Sequence, residues 1–467
     1  MRIKTLFKTI ALALAVTAVA GFLPGCGNTE TPEQTLPRKN LTICDAAGET
    51  LTTTDHYSGI YEQDCWAYLE QALEETAAWI AEQEGCSLID AREALFTRGY
   101  HIETAFDRKA FEALQAVSPR WGGSCDNALV LTDLKGNLLA IACTNQNGQY
   151  LNYAADRRSP YSSFKALSVY TPAVERGIVN WSSVYTDSPY KKLKGEDGSL
   201  QDWPANASGS YSMEPAVVYD ALRKSLNTVA VRCLKDVGVK NAMDFLQNAF
   251  GIPLKEETFV LANYGEEEVI GNIALGYLET GITPVEMAGY YQIFANGGFY
   301  APPKAVVRVK GEDGTVLYKA ENKLKQVISP STADTMNKLL QGVVKTGGTG
   351  AAAASRDVEI AGKTGTGDDY ADNWFVGVTP GYSLAVWHGK HESNRAAEMF
   401  AEVIRQLYAD QPETGRKFVT HQNLYQIVYC EHSGMAFSAD CTQIDVGYYA
   451  SKDALSVCEA CKKKAEG

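Results

Sequence analysis

The chain has 467 residues, enough for two or three domains. At 45% hydrophobic and 21% charged it has an ordinary globular composition, which excludes a disordered, collagenous or multi-span membrane protein. With 43 basic against 56 acidic residues the formal charge is −13, which argues against a nucleic-acid partner held by phosphate neutralisation; six histidines argue against a histidine-rich metal enzyme.

The N-terminal segment reads as an address. Arg2, Lys4 and Lys8 precede an apolar run from Thr9 to Leu23 that ends at Pro24, Gly25 and Cys26. A basic start, an apolar stretch and then small residues make a secretory signal peptide over 1–25. The run is shorter than the ~20 residues of a membrane-spanning helix. Leu23-Pro24-Gly25-Cys26 resembles a bacterial lipobox, which implies lipidation of Cys26. An uncleaved anchor is the alternative, and either way the body is expected outside the cytoplasmic membrane and tethered to its outer face.

Residues 26–55 are polar, Thr-rich and Pro-punctuated, and predict a tether. A small α+β linker or pedestal module is expected over 56–120. Cys65, Leu69, Leu73, Ala77 and Ile80 give helical spacing between Tyr61 and Gln83, and Ser87 with Asp90 is a capping signal for a second helix that Gly99 closes. Tyr100 to Ala105 reads as a strand and Arg108 to Val117 as a helix.

A larger domain is expected over 121–425. Apolar strands from Ala128 and Leu138 flank the turn signal Asp133 to Asn137, and a second pair, Asn373 to Val378 and Tyr382 to Trp387, flanks Thr379-Pro380-Gly381. Helical segments lie between the pairs, and Asn394 to Tyr408 is an amphipathic helix. The fold class is therefore α/β, of the α+β sandwich type: an antiparallel sheet covered by helices.

The remainder, 426–467, is a Cys-rich tail. Besides Cys26 the chain has ten cysteines, of which Cys430, Cys441, Cys458 and Cys461 fall close together and include a C-x-x-C. They are a candidate set of four zinc ligands. In an exported protein two disulfides are the preferred reading, with no resident metal.

Three short elements carry the chemistry: Ser162-Ser163-Phe164-Lys165, Ser225-Leu226-Asn227 and Lys363-Thr364-Gly365-Thr366. S-x-x-K also occurs at Ser188 to Lys191, and K-T-G at Lys345. Context separates the copies. Ser162 opens an apolar helical stretch, so its hydroxyl lies at a helix start where backbone N–H groups favour a developing oxyanion, with Lys165 one turn along the same face. Ser188 runs into a polar loop. Lys345 follows a helical stretch and reads as a cationic helix end, whereas Lys363 precedes the second strand pair and is placed on an edge strand.

The ordered S-x-x-K, S-x-N and K-T-G set resembles the transpeptidase domain of penicillin-binding proteins. Gly99 to Thr104 with Asp107, Trp203-Pro-Ala-Asn206, Ala221 to Ala230, Ala274 to Pro284, Phe294 to Gly298 and Asp372 to Gly377 are similar to blocks of that family. Over residues 95–445 the likeness is to the transpeptidase half of the bifunctional (class A) enzymes, whose Cys-x-x-Ser-Gly pattern reappears at Cys430 to Gly434. The chain departs in having only about a hundred residues between Cys26 and the first strand, where those enzymes carry a glycosyltransferase domain. Crosslinking without glycan polymerisation is therefore expected. Tyr161, where the family more often has Gly, and Pro172 inside the nucleophile helix are smaller departures.

The resemblance implies serine acyl transfer on stem peptides ending in D-Ala-D-Ala, without a cofactor. Ser162 would be the nucleophile and Lys165 its base. Ser225 would relay the leaving-group proton and Asn227 would hydrogen-bond the donor peptide. Lys363, Thr364, Gly365 and Thr366 would hold the terminal carboxylate, with backbone N–H groups of Ser162 and Thr366 as the oxyanion hole. Implied partners are peptidoglycan stem peptides and glycan strands, β-lactams as covalent inhibitors, and a separate glycan polymerase. A D-Ala-D-Ala carboxypeptidase and a catalytically silent β-lactam-binding scaffold lipoprotein are the alternatives; a β-lactam hydrolase lacks a nominated deacylating carboxylate.

Overall fold

A computed structural model describes residues 37–122, 125–144, 149–195 and 198–461. The expected signal peptide, Cys26 and the tether up to residue 36 lie outside the described residues. Among the described residues no helix is long and apolar enough to cross a membrane.

The first structured piece is a hairpin. Strands β1 (Leu41–Cys44) and β2 (Thr50–Thr54) pair antiparallel, and Asp45 Oδ1 closes their turn by accepting the N–H groups of Ala47 (2.9 Å) and Glu49 (2.8 Å). This corrects the expected tether for residues 41–54. The threonines that suggested a solvated linker are β-branched and suit a pleated, half-buried surface, while Leu41, Ile43 and Leu51 reach the core. Helix α1 (Trp66–Glu84) stops at Gly85, whose φ of +65° gives the left-handed conformation that ends a helix. Helix α2 (Leu88–Ala94) is capped by Ser87, whose side chain accepts the Asp90 N–H as expected. Strand β3 (His101–Thr104) and helix α3 (Arg108–Gln115), capped by Asp107, follow.

Next come β4 (Asn127–Asp133) and β5 (Leu138–Thr144), the helices α4 (Val218–Arg223), α5 (Asn227–Val237) and α6 (Pro284–Tyr291), then β6 (Val306–Lys310) and β7 (Val316–Lys319). Helix α7 (Pro330–Val343), strands β8 (Ala361–Thr366), β9 (Asn373–Val378) and β10 (Tyr382–His388), and helix α8 (Ala396–Tyr408) complete the body.

The main sheet is antiparallel throughout, in the order β8-β9-β10-β4-β5, with β8 at one edge. Every residue of β9 is buried, so both faces of the sheet are covered. On one face the Phe375 ring packs 4.8 Å from that of Phe400 on α8. On the other, Ser383 Oγ donates to the Ala288 carbonyl of α6. Side-chain alternation puts Phe375 and Ser383 on opposite sides, since Ser383 pairs with Val378. The expected sheet under helices is the architecture observed.

A second sheet, ordered β7-β6-β3-β1-β2, crosses the boundaries drawn from sequence. The module expected over 56–120 takes two of its strands from residues 306–319, with Val309 opposite Ile102. Glu75 of α1 anchors the junction by accepting the N–H groups of Ala305 and Val306 at 3.0 and 3.1 Å. Tyr68 of α1 donates to the Leu138 carbonyl at 2.9 Å, tying that helix to β5 of the main sheet.

Candidate active site

The segment carrying Ser162 changes pitch twice. A 3₁₀ turn (Tyr161–Phe164) leads through Lys165 into a π turn (Ala166–Tyr170) and a short α-helix (Thr171–Glu175). Pro172 occupies the second position of that last piece, so the kink expected from a proline in one continuous helix is distributed over the change of pitch. Tyr161, which stands where the family more often has Gly, has a φ of 48°, a conformation natural for glycine. The turn is held on several sides. Tyr161 N–H donates to the Gly276 carbonyl (3.0 Å), Ser163 Oγ to the Pro160 carbonyl (2.6 Å), Trp374 Nε1 to the Ser159 carbonyl (3.1 Å) and Tyr291 to the Ser163 carbonyl.

Strand β8 lies against this turn with no room between them. A Cβ on Gly365 would fall 2.4 Å from the Pro160 carbonyl oxygen and 3.1 Å from Ser163 N. Gly365 therefore lets the edge strand carrying Lys363 approach the backbone beside Ser162. Thr364 Oγ1 donates to Thr349 Oγ1 (2.8 Å), while Thr366 Oγ1 accepts from Asn394 Nδ2 (2.9 Å), which also bonds the Gly365 carbonyl (2.8 Å).

The third element arrives from α4. Ser225 sits between α4 and α5 with a φ of 60°, another left-handed non-glycine residue. Its hydroxyl receives a hydrogen bond from Lys363 Nζ at 2.8 Å and lies 3.3 Å from Lys165 Nζ. The Lys165 amine also donates to the Ser225 carbonyl (2.9 Å) and to Asn227 Oδ1. Lys165, Ser225, Asn227 and Lys363 thus form one network. Ser162 is half-buried one turn back from Lys165, its carbonyl accepting the Lys165 N–H.

Both lysines are fully buried, and neither has a carboxylate partner among the described residues. Burial, and then the positive charge of Lys363, push Lys165 well below the ordinary lysine value, while burial lowers Lys363 to about 7. A neutral amine has two N–H groups and one lone pair. The Ser225 carbonyl and Asn227 Oδ1 can take the two N–H groups of Lys165, leaving its lone pair to accept a proton. A hydroxyl between a proton-accepting amine and a proton-donating ammonium can pass a proton either way.

Asn227 differs from the role implied for it. Both ends of its side-chain amide are engaged, Oδ1 by Lys165 and Nδ2 by the Ala205 carbonyl (2.6 Å), and its backbone N–H donates to Asn206 Oδ1 (2.9 Å). Behind it stands Asp187, which sequence reasoning missed. Asp187 Oδ1 accepts from Asn206 Nδ2 (2.7 Å) and Thr228 Oγ1 (2.6 Å), and Oδ2 from Ser212 N–H (2.9 Å). Burial pushes its carboxyl up, but these donors outweigh burial and hold it below the ordinary value. A single Asp in a polar stretch carries no local signal; the neighbouring Trp203-Pro-Ala-Asn206 block was the one hint.

The duplicate motifs lie elsewhere. Ser188 Oγ accepts from Arg232 (3.0 Å) and Lys191 pairs with Glu267 (3.2 Å), while Lys345 is exposed just past the end of α7. The four tail cysteines come together, their sulfurs all within 4.8 Å of one another and with no S–S bond drawn among them.

The penicillin binding protein transpeptidase domain model matches residues 127–406. Penicillin-binding protein 1F of Bacillus subtilis is 30% identical over 360 residues, covering 72% of this chain and 46% of that protein. Penicillin-binding protein 1A of Clostridium acetobutylicum is 34% identical over 259 residues, 53% of this chain and 30% of its own length. The chain thus spans less than half of either relative. Among solved structures, the D,D-transpeptidase domain of a peptidoglycan glycosyltransferase from Eggerthella lenta superposes with a TM-score of 0.61 at 20% identity, covering 80% of this chain and 99% of that one. PonA1 from Mycobacterium tuberculosis in complex with penicillin V gives 0.60 at 22% identity, covering 76% and 96%. A domain match over more than half the chain, enclosing all three motif elements, agrees with the architecture: the chain belongs to the penicillin-binding protein transpeptidase family.

Proposed function

We propose that this protein is a serine D,D-transpeptidase that crosslinks peptidoglycan stem peptides through an acyl-enzyme on Ser162. One observation carries the reading: two buried lysines, with no carboxylate partner among the described residues, share the Ser225 hydroxyl beside the Ser162 turn. Neutralising a lysine of ordinary pKa at pH 7 costs about 4.6 kcal/mol, and burial with like-charge repulsion lowers that cost for Lys165 before substrate arrives.

In this mechanism Ser162 Oγ attacks the penultimate D-Ala carbonyl while its proton passes to Lys165. The oxyanion is held by the Ser162 and Thr366 N–H groups. The peptide C–N bond breaks, and the departing D-Ala amine takes its proton through Ser225. An acceptor amine then attacks the ester, its proton returns through Lys165 to Ser162, and the crosslink is released. Lys363 holds the D-Ala carboxylate with Thr364 and Thr366 along β8. Lys165 fixes the Asn227 amide, so Asn227 orients the base.

β-Lactams, which mimic D-Ala-D-Ala, would acylate Ser162 and stay bound. With these substrates the protein acts outside the cytoplasmic membrane on glycan strands made by a separate polymerase, and the lipobox-like Leu23 to Cys26 supports a lipid anchor on Cys26. The test is mass spectrometry of the products from pentapeptide-bearing glycan. Dimeric crosslinks support transpeptidation. Tetrapeptide with free D-Ala and no dimer would establish a carboxypeptidase, and no product with intact penicillin labelling would establish a silent binder.

A further inference from the structure

The tail is poorly equipped to hold itself together. Strands β11 (Tyr425–Cys430) and β12 (Ile444–Tyr449) form a two-stranded hairpin extended only by single bridges through Ala436, and the tail exposes Val428, Phe437, Ile444, Val446 and Val457. A two-stranded hairpin is at best marginal in water, and segments below ~40 residues usually need a covalent or metal staple.

Its inner side is closely fitted to the body. Gly434, at φ +71°, brings its backbone so near Ser182 that a Cβ would fall 2.0 Å from the Ser182 carbonyl. Ser182 Oγ donates to the Gly434 carbonyl (2.6 Å) and receives a hydrogen bond from Tyr449 (2.8 Å). Trp181 meets Tyr448 edge-on at 5.2 Å and stacks on Tyr219 of α4 at 4.5 Å. Helix α4 ends just before Ser225.

At the far end of the tail the sulfurs of Cys430, Cys441, Cys458 and Cys461 all lie within 4.8 Å of one another. Cys461 Sγ is 3.7 Å from Cys430 Sγ and 3.8 Å from Cys458 Sγ. A disulfide requires about 2.05 Å. A tetrahedral zinc site with Zn–S bonds of about 2.3 Å has sulfur-to-sulfur edges of about 3.8 Å. The surroundings suit electron-rich sulfur. Ser433 Oγ points a donor at Cys458 Sγ (3.2 Å) and the Ser438 N–H one at Cys441 Sγ (3.4 Å). The backbone closes around the cluster, with Ala436 N–H donating to Ser456 and Cys458 N–H to Ala436.

We propose that Cys430, Cys441, Cys458 and Cys461 bind one zinc ion in a structural four-thiolate site that clamps the tail against the helix leading to Ser225. Four thiolates in a tetrahedron select zinc or iron, and zinc, having no redox chemistry, fits a purely structural clamp. Coordination displaces the thiol protons and forms four Zn–S bonds, with no oxidant required.

The test is elemental analysis of the full chain, solubilised and purified anaerobically without chelator or reductant. About one zinc per chain is expected. The double variant Cys441→Ser/Cys461→Ser should retain at least about tenfold less zinc, with circular dichroism recording whether the body is folded. Cobalt added to apoprotein in place of zinc should give thiolate-to-metal absorption. Zinc below about a tenth per chain overturns the proposal whether the sulfurs are free or in two disulfides, as does iron in its place. The readout is independent of any chemistry at Ser162.

Discussion

Lys165 and Lys363, on segments nearly two hundred positions apart, both direct their amines at one hydroxyl, that of Ser225, from 3.3 and 2.8 Å. The charge on Lys363 adds to burial in raising the cost of charging Lys165, and among the described residues neither lysine has a carboxylate partner. Several expectations rest on that pairing.

Replacing Ser162 with Ala should abolish covalent labelling by fluorescent penicillin, read on a denaturing gel. Lys165→Ala should slow labelling at least about a hundredfold, the range for loss of a general base, whereas Lys345→Ala should leave it unchanged. Equal losses at Lys165 and Lys345 would show that the wrong lysine had been assigned.

The pH dependence follows from the two lowered values. Acylation needs Lys165 neutral and is faster with Lys363 charged. Its rate should rise as pH climbs through the lowered Lys165 value and fall as Lys363 loses its proton near about 7. Lys363→Met should lower the rate overall and remove the repulsion on Lys165, so in the residual labelling the acidic limb should move to higher pH while the alkaline limb disappears. Stability should respond as well. Between about 7 and 10.5 the unfolded Lys363 carries a proton that the folded one lacks, so its contribution to stability rises with pH. Lys363→Met should therefore raise the melting temperature more at pH 7 than at pH 10.

Gly365→Ala tests the contact between β8 and the nucleophile turn. The added methyl must displace strand or turn, at a cost of about 1–3 kcal/mol for overpacking. A displacement of about 1 Å at a reacting centre can slow chemistry about a hundredfold. Penicillin labelling should therefore slow far more than thermal stability falls; a normal labelling rate would show that the contact is not needed.

Asp187→Asn tests the support behind Asn227. Both carboxylate oxygens accept from fixed donors, so either orientation of the amide sets an N–H against another N–H or O–H. A destabilisation of about 1–3 kcal/mol is expected. Labelling should slow with it, and the acidic limb of the pH profile should shift as the Asn227 contact to Lys165 loosens. An unshifted limb would reduce Asp187 to a structural role.

What sequence could tell about this site follows from how local each feature is. Ser162 and Lys165 are legible because one turn sets their spacing, and β4, β5, β9 and β10 because apolar runs bracket clear turn residues. The edge position of Lys363 follows from the same pattern. Long-range pairing is silent in one sequence: nothing near Val306 announces that it will lie beside Thr104. Asp187 was invisible for the same reason, since its partners lie 19 to 41 positions away. The Thr-rich stretch at 50–54 misled because threonine suits linkers by polarity and strands by its branched Cβ. The cysteines were legible as a group, but the state of their sulfurs depends on spacing that only the folded tail supplies.

The sheet that β1, β2 and β3 share with β6 and β7 has a consequence for how the protein is made. The early strands leave the ribosome about two hundred residues before the pair that finishes their sheet, so β3 waits with a bare edge while most of the catalytic body is synthesised. Conversely, a chain trimmed to start at residue 121 keeps β6 and β7 but strips away their neighbours, baring an apolar ribbon that invites self-association. The front of this molecule is a missing piece of its own middle, and it cannot be cut off as a detachable stalk.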